Sequence, residues 1–89
     1  MRAVKIIVKG NVQGVFFRAY VRRFALSNDV AGYVKNLDDG SVEIIAQGTE
    51  QAITDLIALC HEGPSGAEVI EVLVDDISVD GSLSGFGMY

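Results

Sequence analysis

The sequence predicts an α+β domain of the ferredoxin-like, split βαβ kind, with the element order β-α-β-β-α-β. Three observations predict it. Strand-like alternation occupies residues 3–9, 30–37, 42–47 and 68–74. Between these, two segments switch to a helical period. An Asp-Gly pair, Asp39-Gly40, separates the second and third strands as a hairpin signal. Two right-handed βαβ crossovers then place both helices on one face of an antiparallel sheet.

In the first strand, Val4, Ile6 and Val8 alternate with Lys5, Ile7 and Lys9. Residues 10–16, Gly-Asn-Val-Gln-Gly-Val-Phe, read as a loop. From about Phe17 the apolar residues Phe17, Val21, Phe24 and Ala25 fall on one helical face. Asn28 continues that face and is predicted as a left-handed C-terminal cap. Arg18, Arg22 and Arg23 fall off the face. Thr49 is placed to cap the second helix, whose apolar stripe is Ile53, Leu56, Ile57 and Cys60. Gly63-Pro64-Ser65-Gly66 stops that helix. The fourth strand has room to extend to Ile77 or Val79. The tail 84–89 is expected to add a short fifth strand, weakened by Gly85 and Gly87 around Phe86.

A chain of 89 residues fits one domain, residues 1–89. With 49% hydrophobic and 21% charged residues it has the composition of a folded globular chain rather than a disordered one. No apolar run has the length of a membrane span, so no membrane partner is expected. Met1–Lys5 leads directly into a strand, with no apolar leader segment. Cys60 is the only cysteine, which excludes an internal disulfide and a multi-cysteine metal site. A reducing cytoplasm is the expected compartment.

The charges are segregated. All seven basic residues lie in residues 1–35, where Asp29 is the single acid; residues 36–89 carry eleven acids and no Lys or Arg. A net charge of −5 opposes binding to a nucleic acid polyanion. An RNA-binding sheet also needs exposed aromatics, and Tyr33 is the only clear aromatic in a central strand. A basic end remains that suits a small anion. Lys9, Arg22, Arg23 and Lys35 read as solvated charges, although Arg22 and Arg23 raise the local potential for such an anion.

Chemistry is expected at the first strand-to-helix connection. A helix N-terminus presents unpaired N–H groups and the positive end of the helix dipole. Gly14 lets the backbone approach an oxyanion closely. Arg18, in the first helical turn, has the planar fork that binds two phosphate oxygens. The spacing alone is equally that of a tight turn, and it is neither a Walker A loop nor Gly-x-Gly-x-x-Gly. Asn36, before Asp38-Asp39-Gly40, has a plain turn-stabilising reading as well. Cys60 sits on an apolar helix face and reads as a buried hydrophobe, with His61 about 100° away from it. The Asp38-Asp39 and Asp75-Asp76 runs lack the spacing of a calcium loop.

Gly10-Asn11-Val12-Gln13-Gly14-Val15-Phe16-Phe17-Arg18 resembles the acylphosphatase signature G-x-V-Q-G-V-x-F-R. Gly32-Tyr33-Val34-Lys35-Asn36-Leu37-Asp38-Asp39-Gly40-Ser41-Val42-Glu43 resembles that family's second signature, G-[aromatic]-V-x-N-x-x-D-G-x-V-E. The separation of the two, the element order and the length are similar too. The link Ala25–Val30 departs from the family's usual Leu-Gly-Leu-like link. The resemblance implies hydrolysis of the carboxyl–phosphate anhydride bond of small acylphosphates, releasing carboxylate and inorganic phosphate. It implies that Arg18 and the backbone of Gln13, Gly14, Val15, Phe16 and Phe17 hold the phosphate, and that Asn36 positions the attacking water. It also implies no metal, no cofactor and no phosphoenzyme. A monomer is expected, with edge strands that leave dimerisation open. The competing reading is a non-catalytic anion-binding module on the same fold.

Overall fold

In the computed structural model, which describes all 89 residues, the elements are β1 (Arg2–Asn11), α1 (Phe17–Ser27), β2 (Ala31–Asn36), β3 (Val42–Gly48), α2 (Glu50–Glu62), β4 (Glu68–Ile77) and β5 (Phe86–Met88). They form a five-stranded sheet of order β4-β1-β3-β2-β5 with two helices packed on one face. The α+β, ferredoxin-like arrangement is the one expected from the alternation of periods.

The core follows from that alternation. Val4, Ile6 and Val8 of β1 are fully buried, as are Val34 of β2 and Val42, Ile44 and Ala46 of β3. They meet Phe17, Val21 and Ala25 of α1 and Ile53, Leu56 and Cys60 of α2 in one cluster of 17 buried residues. Each large apolar side chain so buried contributes about 1.5–3 kcal/mol. The helix-free face carries the alternate residues, among them Lys5 and Glu43, whose charged ends lie 3.8 Å apart. α1 packs over β2 and β5, while α2 packs over β4, β1 and β3. The three arginines of α1 therefore sit at the opposite end of the sheet from the acidic edge strand β4.

Three local expectations need correction. Strand pairing does not stop at Gly10: β1 continues through Asn11, with a register shift between Lys9 and Gly10 against β4. At Gly10 φ is +131°, and a Cβ there would meet the Glu68 carbonyl oxygen at 2.1 Å, so this glycine serves a bulge and not the loop. Asn28 is not left-handed; its φ is −121°, and its side-chain amide donates to the Phe24 carbonyl at 2.9 Å. The left-handed residue is Asp29, one position later, with φ of 55°. Finally, the sheet is mixed. β1, β2, β3 and β4 pair antiparallel, but β5 joins the outer edge of β2 in parallel. After β4 the chain crosses to the far edge of the sheet, and arriving from that side sets the parallel direction.

Candidate active site

The β1–α1 loop is held by every residue that can anchor it. Val12 and Phe17 are core residues, 1% exposed each, and Val15 packs against the core. The Gln13 side-chain amide donates to the Leu37 carbonyl at 2.8 Å and to the Ser41 carbonyl at 2.9 Å. Those bonds bolt the loop to the mouth of the β2–β3 hairpin. Gly14 and Phe16 are left outside. Both have left-handed backbones, φ 75° and 65°, with Val15 between them outside that region. Alternating handedness turns successive N–H groups toward one concavity, the geometry of an anion nest. A left-handed conformation is a genuine outlier for a residue as bulky as Phe16.

The two helix N-termini differ sharply. Thr49 caps α2, its hydroxyl accepting from the Ala52 N–H at 3.1 Å, and Glu50 adds an acid to the first turn. The N-cap of α1 is Phe16, which has no side-chain acceptor, and its first turn holds no acid. The amide donors and the positive dipole end of α1 are thus left uncompensated by the protein. They open into a cavity of about 230 Å³ lined by Gly14, Phe16, Phe17, Arg18, Ala19 and Met88.

Arg18 and Asn36 converge on one atom. The Arg18 guanidinium donates through Nη1 to the main-chain oxygen of Tyr89 at 3.0 Å. The backbone N–H of Asn36 donates to the same oxygen at 3.3 Å. On β2, Asn36 shares a face with buried Val34, the face that α1 covers. The Asn36 carboxamide oxygen is the one buried side-chain polar atom without a hydrogen-bond partner. The turn that follows is stabilised by another residue: Asp39 accepts from the Ser41 N–H at 2.9 Å and from the Ser41 hydroxyl at 2.5 Å. These bonds hold the Asp39 carboxyl below the usual carboxylate range. Asn36 is therefore not spent on the turn.

Among the residues singled out from sequence, Gly14, Phe16, Phe17 and Arg18 line one cavity. Asn36 reaches Arg18 only through its backbone N–H at the Tyr89 oxygen. Val15 packs against the core, and Gln13 supports the loop through its side chain. The role of Tyr89 was not legible, because nothing local announces that a C-terminal main-chain oxygen will join the Arg18 side chain to the Asn36 backbone. Its ring packs edge-on against Tyr33, centroids 6.0 Å apart. The Tyr33 hydroxyl donates to Glu43 at 2.8 Å, and its phenol is pushed up to about 12, first by burial and then by that carboxylate. Cys60 is buried in the core, and burial pushes its thiol up to about 12, which leaves it without nucleophilic character. No three His, Cys, Asp or Glu side chains gather as a metal-binding group. No helix is long and apolar enough to cross a membrane.

Comparison with known proteins bears on the family and the fold. The family model described as acylphosphatase matches residues 4–88. An acylphosphatase of Rubrobacter xylanophilus is 42% identical over 85 residues, covering 96% of this chain and 77% of that protein. One from Thermotoga maritima is 47% identical over 81 residues, covering 91% and 90%. The crystal structure of acylphosphatase from Bacillus subtilis superposes with a TM-score of 0.95 at 36% identity, covering 100% of this chain and 99% of that one.

Proposed function

The chain belongs to the acylphosphatase family and is an acylphosphate hydrolase; on that premise we propose that the uncapped N-terminal turn of α1 is its phosphate site, with Arg18 and Asn36 as its working side chains. Residues 1–89 act as one catalytic unit. The observation that carries this reading is the meeting of the Arg18 guanidinium and the Asn36 backbone N–H at one oxygen, together with an Asn36 carboxamide oxygen that is buried and unpaired.

The phosphoryl oxygens take N–H donors from Gln13 to Phe17 and the guanidinium of Arg18, which has donors beyond the one given to Tyr89. Asn36 accepts a hydrogen bond from a water through its carboxamide oxygen and aims the water's lone pair at phosphorus. A P–O bond forms from that water, and the P–O bond to the acyl oxygen breaks in line. The carboxylate leaves with the bonding pair, and the water's proton passes to a phosphate oxygen. A carboxylate is already a good leaving group, so the site has only to position the reactants and stabilise spreading charge. Fixed dipoles at a helix N-terminus do this without reorganising; one such donor is typically worth about 100- to 1,000-fold in rate. The reading needs no metal, cofactor or phosphoenzyme.

The β4 edge carries Glu68, Glu71, Asp75 and Asp76. Charges of this kind guard an open edge against strand addition, which supports a monomeric enzyme. We assign it to a reducing cytoplasm, where a lone core cysteine stays a thiol.

The test is hydrolysis of benzoyl phosphate by the purified protein with a chelator present. Turnover should persist, and Arg18→Ala should lose both turnover and inhibition by inorganic phosphate. Turnover abolished by chelator would overturn the metal-free mechanism. Phosphate binding without any turnover in the wild type would make the protein a binding module.

A further inference from the structure

We propose that Arg22 and Arg23 form a second anion subsite, one helical turn beyond the phosphate site, which selects acylphosphates whose acyl part carries another anionic group. The inference rests on the phosphate site proposed above and extends it to the acyl half of the substrate.

A second cavity of about 230 Å³ lies along α1, lined by Ala19, Arg22, Arg23, Leu26 and Met88. Ala19 and Met88 also line the cavity at the helix N-terminus, so the two share a wall. Arg18 and Arg22 are four residues apart, which on a helix is about 6 Å along the axis. A phosphoryl group at the first position and an anion at the second are thus separated by the length of a short acyl chain or one ring. The ground between them is apolar: the methyl of Ala19 and the half-exposed side chain of Met88.

The arginines are prepared for a ligand. Arg22 donates through Nε to the Phe86 carbonyl at 2.9 Å, which fixes its guanidinium and leaves its terminal nitrogens uncommitted. The chain's ion pairs are Arg2 with Asp76 and Lys5 with Glu43; none reaches Arg18, Arg22 or Arg23. The nearest acid in sequence is Asp29, beyond the other end of α1. Arg18 in the first turn also goes against the preference of a helix start for acids, and Arg18 and Arg22 are like charges at i, i+4. One anion at the helix start and a second beside Arg22 relieve both conflicts.

The experiment compares kcat/KM for benzoyl phosphate with that for 3-carboxybenzoyl and 4-carboxybenzoyl phosphate, in the wild type, Arg23→Gln and Arg22→Gln/Arg23→Gln. Arg23 makes no hydrogen bond in the protein, so its variant is the cleaner; a urea melt controls for the loss of the Arg22–Phe86 bond in the double variant. The ratio of carboxylated to plain substrate should fall by about threefold to tenfold in Arg23→Gln and further in the double variant, the range for a part-exposed charged hydrogen bond. The fall should be larger for one ring position than the other. A ratio unchanged by the variants overturns the proposal. So does a fall equal at both positions that vanishes at high salt, since that is long-range steering and not a site. Arg18→Ala serves as the reference: if it keeps benzoyl phosphate turnover, the phosphate site itself is misplaced. A flat ratio with strict dependence on Arg18 sinks only the second subsite.

Discussion

Asn36→Ala should separate catalysis from stability in opposite directions. The Asn36 side chain makes no hydrogen bond within the protein, and its buried oxygen is an unpaired acceptor. Such a group costs about 1–3 kcal/mol of folding free energy. Removing the carboxamide relieves that cost and gives back about 1 kcal/mol of packing at a half-buried strand end. The net expectation lies between no change and about 2 kcal/mol of added stability. For a chain of this size that is a rise in Tm of up to about 10 °C. Turnover should move the other way. Without the carboxamide the attacking water has no fixed position, and a misplacement of about 1 Å costs on the order of 100-fold in rate. Inhibition by inorganic phosphate should stay near wild type, since Arg18 and the loop amides are untouched. Urea denaturation, kcat on benzoyl phosphate and the phosphate inhibition constant measure the three quantities. A variant less stable by more than about 1 kcal/mol, with kcat near that of the wild type, would identify Asn36 as a turn residue and refute the reasoning.

Two further outcomes follow from the supports of the site. Gln13→Ala removes both bonds to the hairpin and leaves the Leu37 and Ser41 carbonyls short of a donor; stability should fall by about 1–3 kcal/mol in urea and kcat should fall more than KM rises, whereas unchanged stability would show that the bolt is idle. Tyr33 has a folded pKa raised from 10.0 to about 12, so its neutral form is favoured by folding. Its contribution to stability is complete below pH 10 and is lost as pH rises from there to about 12. An ultraviolet titration should show one phenol ionising near the upper end of that window, and Glu43→Gln should bring it down; a Tyr33 that titrates near pH 10 would contradict the packing described.

The fold was legible where one rule acted alone. Val4, Ile6 and Val8, or Ile53, Leu56 and Cys60, report their period directly, and Thr49 reports its cap. Legibility failed where the outcome depended on a distant strand. Gly10 reads as a loop residue because Gly often begins a loop, yet its φ is set by the approach of Glu68 on β4. Asn28 has the residue type of a left-handed cap, but its amide bonds back to Phe24, and the left-handed step passes to Asp29. The direction of β5 depends on which edge the tail reaches, and no periodicity encodes that. At the site, the loop and the two side chains were visible through the density of the two motifs. Each signal was weak by itself. The Tyr89 oxygen that ties the Arg18 guanidinium to the Asn36 backbone is main chain and carries no residue signature.

The departures from local rules have a common location. Phe16 is left-handed where a bulky residue resists it, α1 starts without a cap, its first turn carries Arg18 instead of an acid, and Asn36 buries an unpaired oxygen. Away from this place the same rules are obeyed: α2 has its Thr49 cap and Glu50, the β2–β3 turn has Asp39 and a left-handed Gly40, and the core closes without gaps in its pattern. The one other left-handed side chain, Asp29, belongs to a residue type that tolerates that conformation. Four independent penalties scattered over 89 residues would read as noise. Gathered at the start of α1 and the end of β2, they describe a helix start with unanswered donors and, on the neighbouring strand, one unanswered acceptor. A tetrahedral dianion satisfies the donors and a water satisfies the acceptor. The strain is kept because Val12, Gln13, Val15 and Phe17 tie the loop down on both sides of Gly14 and Phe16, so it cannot relax into a better-capped helix.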